Sequence, residues 1–245
     1  MKNTGIVKPY NAQEGKKAQV ERMFDNIAPR YDLLNRVLSL GIDVQWRKRA
    51  IRALATESTP REVLDVATGT ADVAIMAAGV LPQTQFIGVD IANQMLDIGR
   101  VKIRERGLQE RIVLETGDSE HLRFEDNRFD AATVAFGVRN FENLEKGLAE
   151  MHRVLTPGGK LVVLEFSRPT LFPFKQLYHA YFKYVLPLIG RLSSQDPRAY
   201  GYLFESVQAF PDGADFVRIL SKTGFKQSTC KPLTLGICSL YTAVK

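Results

Sequence analysis

The sequence predicts an α/β fold: a doubly wound, mostly parallel seven-stranded sheet with a helical region before it and an aromatic-rich helical insertion within it. Three features lead there. From residue 61 onward, short β-rich runs alternate with helical patterns, which is the rhythm of βαβ units in a parallel sheet covered on both faces. Right-handed crossovers then wind such a sheet in both directions. The first of these runs opens into a turn of small residues and a helix, Val63-Leu64-Asp65-Val66-Ala67-Thr68-Gly69-Thr70-Ala71-Asp72. Finally, of 245 residues 45% are hydrophobic and 24% charged, which permits a large core and excludes disordered, collagenous and disulfide-scaffold classes.

The elements follow in chain order. Residues 1–60 read as a helical cap. Apolar residues at 23, 24, 27, 31, 34, 37, 38 and 40 keep an i, i+3, i+4 spacing that Pro29 interrupts, and residues 44–55 continue the pattern. The domain proper, 61–245, begins with strands over 62–67, 85–90, 111–118, 129–136 and 160–166, with helical patterns between them. Pro157-Gly158-Gly159 reads as a helix stop followed by a turn. Residues 168–210 then hold ten aromatics in 43 positions. Phe174, Leu177, Tyr178, Tyr181, Val185 and Leu188 share one helical face there, which Pro187 kinks or ends. This segment is a lid or a packed extension. A last helix (212–223) and strands near 225–230 and 236–243 complete the sheet.

The net charge of +6 is unevenly spread. Residues 1–60 carry eleven Lys and Arg against six Asp and Glu, residues 61–167 twelve against seventeen, and residues 168–245 ten against four. An acidic centre between basic flanks suits a cationic ligand in the middle and an anionic surface at the ends. Cys230 and Cys238 make no disulfide framework, and the chain starts without an apolar segment, so a reducing cytoplasm is expected. No apolar run approaches the ~18 to 20 residues that span a bilayer. With three histidines and two late cysteines at no ligand spacing, no metal is expected.

In open α/β sheets ligands sit beyond the carboxyl ends of the strands, near a helix N-terminus. The Asp65–Asp72 turn occupies such a place. Asp90 closes the second strand, where a carboxylate accepts both hydroxyls of an adenosine ribose, and Gly117-Asp118-Ser119 closes the third, within reach of an adenine amino group. A dinucleotide fingerprint needs three glycines. This turn has only Gly69, which disfavours NAD. A monoadenosyl ligand makes no such demand, and S-adenosylmethionine, with its positive sulfonium, fits an acidic site. The alternative is a small-residue turn that binds nothing.

Several stretches resemble the UbiE-type family of quinone-ring C-methyltransferases: Tyr31–Arg47 (YDLLNRVLSLGIDVQWR), Asp65–Asp72 (DVATGTAD), Phe136–Phe141 (FGVRNF), Arg153–Ser167 and Ser194–Pro211. The resemblance covers nearly the whole chain. It implies a class I methyltransferase fold, S-adenosylmethionine as methyl donor and a polyprenyl quinol as acceptor, demethylmenaquinol before a ubiquinone precursor. By resemblance the donor falls to Thr70, Asp90, Asp118 and Ser119, with Asp65 and Gly69 of the same turn expected beside them. The resemblance also has Tyr31 close the acceptor side, with Asn140 and Tyr178 expected to join it. Arg139, just past the fourth strand, is the candidate catalytic residue, since a guanidinium stabilises a phenolate. The chain departs from the family pattern at Thr68 and Ala71, which replace glycines, at Asp43, often His, and at Ala135, a Ser in some members. An acceptor that lives in a bilayer adds an anionic membrane surface as a transient partner at the inner face, and a homodimer is compatible with the family. Two other functions compete. A nucleic-acid methyltransferase is disfavoured because the Asn/Asp-Pro-Pro-aromatic motif and any dense basic-aromatic interleaving are missing, and a donor-binding scaffold without activity is countered by Asp90 and Arg139.

Overall fold

Strands that are apolar on both faces need cover on both faces, and the chain supplies it by alternating the direction of successive residues. The computed structural model describes residues 7–10, 13–55, 59–180 and 198–245. Strands β1 (Glu62–Val66), β2 (Gln85–Asp90), β3 (Ile112–Thr116), β4 (Phe129–Ala135), β5 (Leu155–Phe166), β6 (Lys226–Leu233) and β7 (Cys238–Val244) form one sheet in the order β3-β2-β1-β4-β5-β7-β6. The first five pair in parallel, while β7 runs antiparallel between β5 and β6. The doubly wound, mostly parallel seven-stranded sheet is therefore the one that the strand-helix rhythm predicts.

Helices α1 (Lys16–Ile27), α2 (Tyr31–Leu38), α3 (Asp43–Leu54), α4 (Asp72–Ala78), α5 (Asn93–Glu105), α6 (Leu144–Val154), α7 (Phe174–Ala180), α8 (Arg198–Ala209) and α9 (Ala214–Lys222) surround it. Val63, Phe86, Val162 and Leu164 face one side and meet Ala50 and Ile51 of α3 and Ala77 of α4. Leu64, Ile87, Val163 and Tyr241 face the other, against Leu148 and Met151 of α6 and Phe216 of α9. Neighbours such as Val63 and Leu64 thus serve opposite cores, as a period of two requires. Pro29 lies in the 3-10 turn Ala28–Arg30 that separates α1 from α2. Of the three N-terminal helices, α3 packs in the sheet's own core through Trp46, Ala50, Ile51 and Leu54.

The structure differs from the sequence expectation at Pro157-Gly158-Gly159. Helix α6 stops at Val154 and the chain enters β5 at once, with Leu155 opposite Phe129. The register then shifts, resuming at Lys160 opposite Ala131. The Pro-Gly-Gly stretch is a bulge in the strand rather than a turn before it. Gly158 supplies a φ of +79°, and Lys245 at the chain end receives the exposed backbone, its N–H donating to Gly159 O at 2.9 Å. From the aromatic segment, α7 and α8 are described; Tyr181, Phe182, Tyr184, Val185, Pro187 and Leu188 lie outside the described residues. Among the described residues no helix is long and apolar enough to cross a membrane.

Because β1 is flanked by β2 on one side and β4 on the other, the connections leaving its two neighbours diverge. That divergence opens a crevice at the carboxyl ends of these strands. Helices α1 and α2 bridge it: Lys16 Nζ donates to Arg139 O at 3.1 Å and to Phe141 O at 2.9 Å, and Thr70 Oγ1 donates to Asp32 Oδ1 of α2 at 2.7 Å.

Candidate active site

Past two strand ends, three residues lie in the left-handed region that side chains avoid: Ala67 (φ +53°) and Ala71 (+62°) between β1 and α4, and Phe136 (+60°) after β4. Strain of this kind collects where a backbone must be aimed at a ligand. Ala71, the N-cap of α4, takes a left-handed conformation that glycine adopts without strain. The cleft between these strand ends spans about 670 Å³ of space between atoms, its solvent-open mouth included, and its walls include Gly69, Asp90, Gly117, Asp118, Ser119 and Asn140. Tyr31 closes it from α2.

Asp90 is held by the backbone. Its Oδ2 accepts from Gly69 N at 2.8 Å and its Oδ1 from Ala92 N at 2.9 Å. Burial pushes the carboxyl pKa up, and the amides of Ala92 and Gly69 partly offset the rise. Asp118 accepts from Lys17 Nζ at 2.6 Å and from Glu120 N at 2.9 Å. Burial acts to raise this carboxyl too, but the hydrogen bonds from Lys17, the Glu120 amide and His121, with the Lys17 charge, together outweigh it and the pKa lies below the usual range. Glu120 and Glu142 add to the acidic wall, and the Glu120 carboxylate accepts from the amides of Glu142 and Asn143 at 3.0 and 2.9 Å, joining the loops that follow β3 and β4.

The residues fit a cationic, adenosine-bearing methyl donor. A Cβ at Gly137 would lie 2.5 Å from Ala67 Cβ, and one at Gly117 2.8 Å from Val89 Cγ1, so only glycine permits this close wall. Asn140, 8% exposed, points a buried Oδ1 that has no hydrogen-bond partner among the described residues. Such an acceptor on the wall of a ligand cleft suits an amine or hydroxyl of the ligand.

Two of the predicted donor residues stand behind the wall. Thr70 gives its hydroxyl to Asp32 and accepts from Lys102 Nζ at 3.1 Å, while Lys102 also meets Asp32 at 2.9 Å and pairs with Asp72. Arg47 reaches Asp72 at 2.5 Å. Asp65, fully buried, accepts from Thr68 Oγ1 at 2.6 Å. Burial pushes its pKa up to about 7, against the Thr68 hydrogen bond, with the Asp90 charge adding to the rise.

A second pocket adjoins the first and is apolar on most of its wall, including Met23, Phe24, Leu34, Phe136, Phe166 and Leu203. Arg139 enters it from the 3-10 turn Val138–Asn140. Its Nη1 donates to Glu165 Oε1 at 2.7 Å and to Phe136 O, and its guanidinium lies 5.4 Å from the centre of the Phe166 ring. Glu165 is fully buried and was not legible as a functional residue. It reads as one more apolar-strand position until the fold sets β5 beside β4, where Ala135 opposes Leu164. Lys16, Lys17 and Glu120 were missed for the same reason. Of the predicted acceptor residues, Tyr31 lines this pocket and Asn140 lines the acidic cleft beside it, whereas Tyr178 packs its buried ring with Leu34 and lines a separate groove with Arg168 and Asp212.

Sheet order and an acidic cleft at the switch point, with Asp90 at the end of β2, are those of an α/β methyltransferase that uses S-adenosylmethionine. The chain belongs to the ubiE/COQ5 methyltransferase family, whose profile matches residues 12–245. It is 51% identical over 239 residues to the demethylmenaquinone methyltransferase of Bacteroides fragilis, covering 98% of this chain and 97% of that one. It is 48% identical to the ubiquinone/menaquinone biosynthesis C-methyltransferase UbiE of a Geobacter species, covering 94% and 97%. Among solved structures, a SAM-dependent methyltransferase from Aquifex aeolicus superposes with a TM-score of 0.59 at 15% identity over 81% of this chain and 88% of that one, a likeness of fold.

Proposed function

We propose that the protein transfers a methyl group from S-adenosylmethionine to a ring carbon of a polyprenyl quinol, converting demethylmenaquinol to menaquinol. One observation carries this reading beyond the family: the acidic cleft and the apolar pocket share Phe24, Tyr31 and Phe136 as a common wall. A cationic donor and a greasy aromatic acceptor held on either side of those rings meet where the cavities join.

When bound, the donor supplies an electrophilic methyl on a positive sulfur. The residues do the rest by positioning, which contributes up to ~7 to 11 kcal/mol when alignment is good. In this reading Asp90 accepts the ribose hydroxyls, Asp118 and Ser119 address the adenine amino group, and Gly69 brings backbone close. Thr70 and Asp65 fix the turn from behind. Arg139 stabilises the phenolate of the acceptor. Its pairing with Glu165 holds the guanidinium still while its Nε edge remains for a ligand. A negative oxygen held by Arg139 would enrich the neighbouring ring carbon as a nucleophile for the methyl that the bound donor supplies, and the proton displaced from that carbon would pass to water.

Helices α1 and α2 act as the cap over both cavities, and α8, which supplies Ala199, Tyr202 and Leu203 to the apolar pocket, as cover for the prenyl tail. The same reading brings the protein to an anionic bilayer surface to collect its acceptor. Exposed Leu171 and Phe172 beside Lys175 and the basic flanks support that location. The test is incubation of the purified protein with methyl-labelled S-adenosylmethionine and either demethylmenaquinol or a ubiquinone precursor, followed by organic extraction. Label is expected in the demethylmenaquinol extract; label in neither rejects the proposal, and label in the other alone reassigns the acceptor.

A further inference from the structure

Two residues on the wall of the apolar pocket, Arg139 and Tyr202, each have a buried polar atom without a partner among the described residues, Nε and Oη respectively. Arg139 has a role in the reading above, but Tyr202 has none. It stands on α8, 3% exposed, with its ring against Val20 and Met23 of α1. A buried hydroxyl left unpaired destabilises a fold unless something completes it. The pocket wall around it is largely hydrocarbon, including Met23, Phe24, Leu34 and Leu203. Burial pushes the Tyr202 hydroxyl pKa further above its ordinary value, so the group is a donor throughout the neutral range.

We propose that Tyr202 is an acceptor-binding residue, donating a hydrogen bond to a ring oxygen of the ligand in this pocket, so that the pocket selects oxygenated aromatic rings over hydrocarbons of equal size. The inference rests on reading this pocket as the acceptor site. A hydrocarbon wall alone ranks ligands by area and discriminates weakly, whereas a buried polar group that only the correct ligand satisfies discriminates more strongly.

The test compares the full-length protein with its Tyr202→Phe variant by calorimetry in detergent micelles. The probes are a short-tailed prenyl 1,4-naphthoquinone and a naphthalene bearing the same tail. The wild type is expected to prefer the quinone. Tyr202→Phe should lose about three- to tenfold in quinone affinity with unchanged naphthalene affinity, and its ligand-free Tm should equal or exceed that of the wild type, since an unpaired buried hydroxyl has gone. Unchanged quinone affinity, or an equal loss for both probes, overturns the role of Tyr202 while the acceptor site stands. A wild type that binds neither probe overturns the reading of the pocket itself.

Discussion

Asp90 and Arg139 show how burial and charge divide labour between neighbouring cavities. Asp90 is a structural brace, its oxygens holding the Gly69 and Ala92 amides, and in the proposed reading it also accepts the ribose hydroxyls. Asp90→Ala should therefore weaken donor binding by about ten- to a hundredfold, the worth of a charge-assisted hydrogen bond, measured by calorimetry. Arg139→Gln should lower kcat by about 10²-fold or more with donor affinity unchanged. It should also lower stability by roughly 3 to 5 kcal/mol, because Glu165 is left buried and unpaired. The double variant with Glu165→Gln should regain Tm but no activity, which separates the chemical from the structural effect. Asp65 gives a pH signature. Its unfolded carboxyl ionises near 3.8 and its folded one near 7, so the folded state holds the extra proton. Its contribution is full below pH 4 and is lost as pH rises through 7. Asp65→Asn should flatten the decline of Tm between pH 4 and pH 7 in thermal melts.

At the scale of elements, the site depends on how closely β1 and β4 end beside one another. Gly137 follows β4 and would drive any Cβ against Ala67, just past β1. Gly137→Ala should cost about 1 to 3 kcal/mol by overpacking, lowering Tm by a few degrees in calorimetric scans and weakening donor binding as the cleft wall moves. The helical cap is fastened by charge rather than by apolar area alone. Asp32 of α2 meets Thr70 and Lys102, and Lys16 and Lys17 of α1 meet the loops after β4 and β3. Such pairs join residues 38 to 125 positions apart, so nothing local in the sequence announces them. The β-rich runs, by contrast, fall within a residue or two of the observed strands except at β5 and the terminal hairpin, where the Pro-Gly-Gly bulge and Lys245 extend the ladder.

For the whole molecule, the uneven charge suggests a division between a donor-holding centre and membrane-facing flanks. Sedimentation with vesicles containing anionic lipid should fall as salt rises from 0.1 M to 1 M, where the screening length shrinks from about 10 to 3 Å. Catalysis should show the same geometry: shortening the prenyl tail should raise KM for the quinol with little change in kcat, read from initial rates on a tail-length series. A salt-independent association would return the basic flanks to a role in solubility.

Taken alone, the amino-acid order determined the sheet, its covering helices, the switch-point turn and the strand-end carboxylate Asp90. These depend on hydrophobic period and on residues adjacent in the chain, which are local quantities. Only the tertiary structure decided that Thr70 and Asp65 stand behind the wall, that Tyr178 lies in another groove, and that Glu165 holds Arg139. The reason is physical. Whether a polar side chain meets ligand or protein depends on which distant partner the fold carries to within 3 Å of it, and a sheet in the order β3-β2-β1-β4-β5-β7-β6 makes neighbours of residues that the chain keeps far apart.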